Sequence, residues 1–378
     1  MINKIEKVKN AINAAGADGA LIVSKVNLFY LTQRIFDGFI YISAEGETLV
    51  FAKKAANAPE NCIFVRKYEE MPEIFKNKGL KAPEKLMVEA DRLSYLEITR
   101  ILKVFGSEML ISPVDALRVI KSEDEIEKIK NSCSLHKLTY EKIPYLYEKG
   151  MTDKAIQARV EYEMAKNGMQ GVNRIKGESM ECAGGMVIAG DNALTASPYD
   201  FGMGGGGTQS YPMGANGTEI KRGNTVSFDM SGFYNGWWCD ITRVFSLGEV
   251  SEEAKKVHAV SEKIHEFIME NAVPGANCGE LFDKITEIVS EAGYQDIFMN
   301  NVQKNSFVGH GIGLELNERP VIARKSRDVL QNGMVFALEP KFAVKGVGPV
   351  GNEDSYAIIN GKCERLSNVS REIVPFKE

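Results

Sequence analysis

Short aliphatic runs within a background of helical periodicity characterise the first third of the chain. The strands that these runs predict lie at residues 20–23, 38–42 and 86–88. The pattern breaks at residues 112–115, and Ser122 and Glu125 then have the spacing of a capping box at the start of a new helix. The sequence therefore predicts a small α/β domain over residues 1–117 and a second domain over residues 118–378.

Helical periodicity marks four segments of the second domain. One begins after Ser122, and the others lie at residues 152–168, 251–270 and 279–293. His136 falls on the apolar stripe of the first of these helices, which predicts a buried histidine with hydrogen-bond partners. His258 and His265 share a face of the third helix with Glu262. This spacing is compatible with a pair of metal ligands, but a solvated polar face is the favoured interpretation.

A predicted β-hairpin carries the most informative polar residues of the chain. If Asn235-Gly236 forms a two-residue turn, the pairs Tyr234/Trp237, Ser231/Asp240 and Asp229/Thr242 lie opposite one another. Asp229 and Asp240 then share one face of the hairpin as diagonal neighbours, with Cα atoms about 7–8 Å apart. Two converging carboxylates repel each other unless a cation neutralises them. The hairpin therefore predicts a cation site.

The alternative is an ordinary solvated sheet face with two surface aspartates. The alternation of residues places an apolar set on the opposite, buried face, namely Phe228, Met230, Ile241 and Val244. It places Trp238 on the same face as the aspartates. An exposed tryptophan beside two free carboxylates is unfavourable, so a lined site is the better interpretation.

Three further residues offer metal-binding groups later in the chain. His310 stands between Gly309 and Gly311, where the backbone can approach a ligand closely. Glu339 ends the apolar run at residues 335–338, and Glu353 precedes another strand at residues 356–359. An acidic side chain in such apolar surroundings requires a partner.

Composition and charge exclude several classes of protein. The 378 residues exceed what one core usually serves, and 44% hydrophobic with 26% charged residues is an ordinary globular composition. A net charge of -5 without a basic cluster excludes a nucleic-acid footprint, and no apolar run reaches the roughly 18 residues of a membrane span. The first residues lack the apolar segment of a secretory signal, so a cytoplasmic location is predicted. The cysteines show no paired spacing and predict reduced thiols rather than a disulfide or zinc framework: Cys62, Cys133, Cys182, Cys239, Cys278 and Cys363.

The order and spacing of these motifs resemble the pita-bread metallopeptidase family, which includes prolidase, aminopeptidase P, methionine aminopeptidase and creatinase. The segment at residues 27–32 and the Lys121-Ser122 linker also resemble the prolidase and aminopeptidase P branch. The resemblance implies an α/β (α+β) fold, with a creatinase-like N-terminal domain and a pita-bread catalytic domain. It also implies a homodimer that acts on a small peptide or amide.

Residue by residue, the resemblance implies two divalent metal ions. Asp229 would bind one ion, Asp240 and Glu353 would bridge both, and His310 and Glu339 would complete the second. This oxygen-rich set favours manganese, with cobalt, iron and zinc left open. The bridging water would be the nucleophile, and Glu339 would accept its proton, so Glu339 and His310 are the catalytic candidates. Thr242 and Asp354 would hydrogen-bond ligating carboxylates.

The sequence departs from the family around the substrate. Prolidase-like relatives have histidines at about the positions of Ser197 and Asn317 and an arginine at Gly351, whereas the metal ligands are intact. Ser197, Asn317 and Tyr211 are the candidates for substrate contact. The glycines at 202–207 lack the Lys-Ser/Thr ending of a phosphate loop and predict a flexible loop, of which residues 204–207 would help to shape the altered pocket.

Three functions therefore remain open. The leading one is a dinuclear metallohydrolase of a C–N bond, most like Xaa-Pro dipeptidase or aminopeptidase P. The second is a creatinase-like hydrolase of a small non-peptide molecule, and the third is a pita-bread binding module without catalysis. The intact ligand set argues against the metal-free mechanism of creatinase and against a non-catalytic module.

Overall fold

The computed structural model describes residues 2–172, 174–176, 184–199, 203–299 and 307–377. The chain forms two compact units, residues 1–118 and residues 119–378. Within the described residues, no helix combines the length and the apolarity that a membrane span requires.

The first unit contains one mixed six-stranded sheet. Its strands are β1 (Gly19–Ile22), β2 (Gly38–Ser43), β3 (Thr48–Ala52), β4 (Ile63–Phe64), β5 (Lys85–Val88) and β6 (Glu108–Ile111). Its helices are α1 (Ile2–Ala14), α2 (Lys25–Thr32), α3 (Met71–Asn77), α4 (Tyr95–Phe105) and α5 (Val114–Leu117). The strand order is β4-β3-β2-β1-β5-β6, and all six residues of β2 are buried. The three strands predicted for this unit are confirmed.

The described residues of the second unit form four long helices and three sheets. The helices are α6 (Glu123–Tyr140), α7 (Asp153–Lys166), α8 (Glu252–Asn271) and α9 (Cys278–Glu291). The strands are β7 (Gly185–Ala189), β8 (Thr225–Tyr234), β9 (Trp237–Ser246), β10 (Phe307–Gly311), β11 (Glu318–Ala323), β12 (Val335–Leu338), β13 (Lys341–Val344), β14 (Gly348–Gly351), β15 (Asp354–Ile359), β16 (Lys362–Arg365) and β17 (Val374–Pro375). The sheet orders are β17-β9-β8-β7, β11-β10-β12-β15-β16 and β13-β14.

Each helical pair of the second unit buries an apolar face against one of the larger sheets. Ile156 of α7 and Phe228 of β8 belong to one core, while Ile264 of α8 and Phe336 of β12 belong to another. The helix starts follow local capping chemistry, and the capping box predicted at the start of α6 is present, with reciprocal hydrogen bonds between its first and last residues. The sheets are therefore left with their remaining faces free to carry polar groups.

His136 lies in the core beneath the hairpin. Its side chain is fully buried, with Nδ1 3.0 Å from the hydroxyl of Tyr234 and Nε2 2.8 Å from the carbonyl oxygen of Met230. Burial lowers the pKa of His136 to about 4, so the ring is neutral at pH 7. The prediction of a hydrogen-bonded core histidine is confirmed.

The solvated face predicted for His258 and His265 is wrong. Both side chains are buried, because α8 packs against β14 and β16. His265 Nε2 donates to the carbonyl of Asn352 at 3.1 Å, and His258 Nδ1 accepts from the main-chain N–H of Gly351 at 3.2 Å. Neither histidine belongs to a group of potential metal ligands among the described residues. Both instead hold the chain segment that leads into Glu353.

The cysteines of the described residues are free thiols, as the sequence predicts. They are Cys62, Cys133, Cys239, Cys278 and Cys363. Cys182 lies outside the described residues.

Candidate metal centre

The hairpin of β8 and β9 has the predicted register. Its turn residues Asn235 and Gly236 both have positive φ, 51° and 92°, as a tight two-residue hairpin turn requires. Asp229 lies opposite Thr242, and Ser231 lies opposite Asp240. The two aspartates therefore share one face of the sheet.

Two neighbours of the aspartates complete this face. Trp238 is buried and packs against Phe233, as expected for a lined site. Val244 pairs with Ser227 and so belongs to the aspartate face. Its predicted position on the opposite face is wrong, because side chains alternate strictly along a regular strand.

The second sheet brings a histidine and two glutamates to the hairpin. His310 pairs with Ala337 of β12, and Glu339 follows the same strand. Glu353 precedes β15 and joins the two sheets, because its backbone exchanges two hydrogen bonds with Thr242, of 3.1 and 3.3 Å. The five predicted ligands thus lie on, or directly beside, separate strands that meet along one seam.

The glycines beside His310 are required by neighbouring strands. A Cβ atom on Gly309 would lie 2.6 Å from the carbonyl oxygen of Ala337, and one on Gly311 would lie 2.2 Å from that of Arg319. The sequence predicts a close approach of the backbone at this point, and the structure shows that the approaching group is the adjacent β-backbone. The glycines therefore fix the position of His310 by letting the strands pack tightly.

The donor atoms form two overlapping groups. Asp240, His310 and Glu353 supply one group within 4.8 Å, and Asp229, Glu339 and Glu353 supply the other. His310 Nε2 stands 3.9 Å from Asp240 Oδ2, 3.7 Å from Glu339 Oε1 and 4.0 Å from Glu353 Oε1. These separations are too long for hydrogen bonds, but donors that each lie about 2.1 Å from one ion are themselves roughly 3–4 Å apart.

Asp240 supplies an independent indication that a cation fits. Its Oδ1 atom is buried and has no hydrogen-bond partner in the part of the chain that the structure describes. Burial raises the pKa of Asp240, and the neighbouring Asp229 raises it further, against the opposing charge of Lys341. Burial and Asp240 likewise raise the pKa of Glu353. A divalent ion would relieve both the missing contact and the repulsion.

A lysine that sequence analysis missed lies inside the carboxylate cluster. Lys341 Nζ is 2.7 Å from Asp229 Oδ2, 2.8 Å from Glu339 Oε2 and 3.1 Å from Glu353 Oε2. Burial by itself lowers the pKa of Lys341, but the three carboxylates outweigh it and raise the pKa well above its ordinary range. The available signal was its position two residues after Glu339 in an extended segment, which places both side chains on one face.

Thr242 and Asp354 support the centre in different ways. Thr242 Oγ1 donates to Glu353 Oε2 at 2.7 Å, which is the contact that the resemblance implies. Asp354 makes no such contact, and the expectation that it hydrogen-bonds a ligating carboxylate is wrong, because an ionised carboxylate has no proton to donate. It instead accepts from Arg243 and Arg371, and Arg243 Nη1 donates to the main-chain carbonyl of Glu353 at 2.6 Å.

The residues proposed for substrate contact lie in ordered main-chain networks. Ser197 is buried and accepts from the N–H of Tyr199 at 3.2 Å. Asn317 accepts from the N–H of Lys176 at 2.7 Å and donates to its carbonyl, so both ends of the amide are engaged. Substrate contact by Ser197, Asn317 and Tyr211 stays a prediction.

The backbone at Gly351 explains one departure from the family pattern, and hydrogen bonds define part of the glycine-rich loop. Gly351 has φ of 107°, and a Cβ atom there would lie 2.3 Å from the carbonyl oxygen of Pro340, so no side chain fits on this backbone. Gly206 and Gly207 donate to the Asn192 side chain and the Gly214 carbonyl, which ties the described part of the glycine-rich loop to its neighbours. Gly202 lies outside the described residues.

We predict opposite consequences for replacing two of the histidines by alanine. His265→Ala removes buried hydrogen bonds to Tyr356 and Asn352 and is expected to lower the free energy of unfolding by about 1–3 kcal/mol without changing the metal count. His310→Ala is expected to lose bound metal at nearly unchanged stability. Denaturant unfolding and elemental analysis of both variants check this, and a His265→Ala protein that folds normally but binds no metal would contradict it.

Comparison with known proteins agrees with this geometry. Residues 127–360 match metallopeptidase family M24, and residues 4–125 match the creatinase/prolidase N-terminal domain. The chain is 27% identical over 388 residues to the Xaa-Pro dipeptidase of Pyrococcus furiosus, with 99% of this chain and 100% of the relative covered.

Two solved structures share the fold along almost the whole chain. The prolidase of Pyrococcus horikoshii OT3 superposes with a TM-score of 0.79 at 24% identity, covering 98% of this chain and 100% of that one. The X-Pro aminopeptidase of Thermotoga maritima gives a TM-score of 0.79 at 25% identity, covering 95% and 98%.

Proposed function

The chain belongs to metallopeptidase family M24, and we propose that it hydrolyses a peptide or amide bond of a small substrate at the seam between its two larger sheets. One observation carries this proposal: Asp240, His310 and Glu353 converge from separate strands, and Asp240 keeps a buried, unpartnered oxygen among the described residues. The pita-bread fold and the creatinase-like N-terminal domain predicted from the sequence are confirmed.

Each residue of the candidate metal centre has a distinct role in the proposed hydrolysis. Asp240, His310 and Glu353 would hold a divalent ion, which supplies Lewis acidity to a substrate carbonyl and lowers the pKa of a coordinated water. Glu339 Oε1 faces the same space, 3.7 Å from His310 Nε2, and is placed to accept a proton and return it to the leaving nitrogen. Thr242 orients Glu353 through its hydrogen bond, and the buried apolar neighbours keep bulk water from the carboxylates.

Manganese is the metal that we propose. Carboxylate oxygens outnumber the single imidazole, and such oxygen-rich sets suit manganese, while cobalt, iron and zinc are compatible with a mixed set. The number of bound ions depends on Lys341, whose ammonium group contacts all three carboxylates of the second donor group. Activity in buffer treated with a chelator and then resupplied with each metal in turn tests the metal requirement.

We predict that this protein does not prefer substrates that contain proline. The relatives named above are called Xaa-Pro dipeptidase and X-Pro aminopeptidase, which supports a peptide substrate. However, Gly351 admits no side chain and the amide of Asn317 is engaged with Lys176, so charged contacts to a substrate carboxylate are lost there. Metal-dependent cleavage of Ala-Pro and Gly-Pro should be at least about tenfold slower in kcat/KM than that of the best small amide in a panel.

The panel consists of Xaa-Pro and Xaa-Ala dipeptides, proline-containing tripeptides and small non-peptide amides, each assayed with and without chelator. Rapid, proline-selective cleavage would contradict the specificity prediction and leave the metallopeptidase proposal intact. If no peptide or amide is cleaved in the presence of any of the metals, the metallopeptidase proposal itself is wrong.

The assembly and the compartment stay predictions. The resemblance implies a homodimer, and a cytoplasmic location is likewise a proposal. Sedimentation or size-exclusion chromatography with light scattering measures the assembly directly.

A further inference from the structure

We propose that the ammonium group of Lys341 occupies the second cation position of the centre, so that the protein binds one divalent ion rather than the two that its sequence predicts. The inference rests on the proposed metal-dependent function, since it concerns the same seam. It changes what Asp229 does, because Asp229 becomes a partner of the ammonium and no longer a metal ligand.

The position of Lys341 is the first line of support. The side chain leaves β13 and ends among Asp229, Glu339 and Glu353, which are the three members of the second donor group. All three contacts are within 3.1 Å, and only 1% of the residue is exposed. A lysine is almost never buried this deeply without paired charges, and here it has three.

An ion and the ammonium compete for the same oxygens. An ion bound to the three oxygens that face Nζ, at about 2.0–2.2 Å from each, would stand within roughly 4 Å of the ammonium nitrogen. Two positive groups at that separation in a buried site repel each other strongly, because little water is present to screen them. The lone pairs that a second ion requires are already directed at the N–H groups of Lys341.

Charge balance is compatible with a single ion. Among the described residues, the seam holds the four carboxylates of Asp229, Asp240, Glu339 and Glu353. One divalent ion and one ammonium bring three positive charges to these four negative ones, whereas two ions and the ammonium would bring five. The first combination leaves a net charge of -1 in the buried centre and the second leaves +1, so the charge count permits a single ion, and it is the overlap with the ammonium group that opposes a second one.

The two oxygens of the shared carboxylates explain how one ion is retained. Glu353 directs Oε2 toward Lys341 and Thr242, while its Oε1 lies on the side of His310. Glu339 is divided in the same way, with Oε2 on Lys341 and Oε1 toward His310. The oxygens that Lys341 does not use therefore remain available, together with Asp240 and His310, for a single ion.

Counting bound metal tests the proposal without reference to activity. Metal-free wild-type protein is titrated with Mn²⁺ in equilibrium dialysis, and bound manganese is measured by elemental analysis and by electron paramagnetic resonance, which distinguishes an isolated ion from a spin-coupled pair. We expect wild type to saturate at one isolated ion per chain. Lys341→Ala frees three carboxylates and the space between them, so it should bind a second ion and show the coupled signal.

Lys121→Ala is the matched control. Lys121 is also a buried lysine, paired with Glu318 at 3.0 Å, and it is absent from both donor groups. Its replacement should leave the count at one ion. A gain of a second ion in this variant would show that losing any buried lysine has that effect and would overturn the assignment to Lys341.

Two other results would overturn the inference. One is a coupled pair of ions in the wild-type protein, which needs no folded variant to be observed. The other is a folded Lys341→Ala protein that still binds one ion. Failure of the proposed function can be distinguished from failure of this inference. In that case the wild-type protein would bind one ion but hydrolyse none of the peptides or amides in the panel.

Discussion

Replacing Asp240 with alanine is expected to abolish metal binding and to reduce hydrolysis by more than about a thousandfold. Asp240 is 6% exposed, and it contributes both a member of the first donor group and a buried oxygen without a hydrogen-bond partner in the described chain. The Lewis acidity of a bound ion contributes several kcal/mol to transition-state stabilisation, and a loss of about 4 kcal/mol corresponds to that factor. Removing a buried acid that is repelled by its neighbours should leave folding intact.

Elemental analysis of the purified variant, together with kcat/KM on the best substrate of the panel, measures both effects. The matched control is Asp153→Asn, because Asp153 is also buried but binds the N–H of Gly217 and the side chain of Asn192 away from the donor groups. That change should keep the metal. Full metal content and activity in Asp240→Ala would show that the hairpin face is not the site.

Replacing Asp354 with asparagine should have the largest effect on stability. Asp354 is fully buried and accepts hydrogen bonds from Arg243 Nη2 and Arg371 Nε at 2.5 Å each. Although burial raises the pKa of Asp354, Arg243 and its other charged neighbours outweigh that effect and bring it to about 2. Neutralising one partner of a buried ion pair leaves an unpaired charge, so the free energy of unfolding should fall by about 3–5 kcal/mol.

The same change should weaken the metal centre indirectly. Arg243 fixes the main chain at Glu353, and its release is expected to lower metal affinity by about 10–100-fold, as for other residues that orient a ligand. Chemical denaturation and Mn²⁺ titration measure the two losses separately. Glu69→Gln, which disturbs an exposed pair with Arg100, is the control and should change stability far less. Wild-type stability in Asp354→Asn would contradict the role assigned to this ion pair.

Local rules explain why the hairpin could be predicted. An Asn-Gly turn fixes the pairing of the residues around it, and the two-residue repeat of a strand then determines which side chains share a face. The positions of Asp229 and Asp240 follow from these two rules. The same repeat contradicts the expected position of Val244, which was inferred from its apolar character instead of from its place in the register.

Long-range packing decided the features that could not be predicted. The sequence placed His258 and His265 on a polar helix face, but that face packs on the strands beside Glu353, and hydrogen bonds to main-chain groups satisfy the buried rings. Asp354 was expected to support a ligand directly, yet its partners Arg243 and Arg371 lie far from it in sequence. Helical periodicity describes one element and does not identify the surface that will cover it.

The sequence by itself determined the hairpin and the helix starts, because each depends on spacing within a short segment, and it predicted which side chains form the candidate metal centre. Only the tertiary structure placed Lys341 among Asp229, Glu339 and Glu353 and divided the donors into two groups. Such convergence depends on how separate sheets meet, and the charge at the seam combines the aspartates of the hairpin with Glu339, Lys341 and Glu353, which lie about a hundred residues later in the chain.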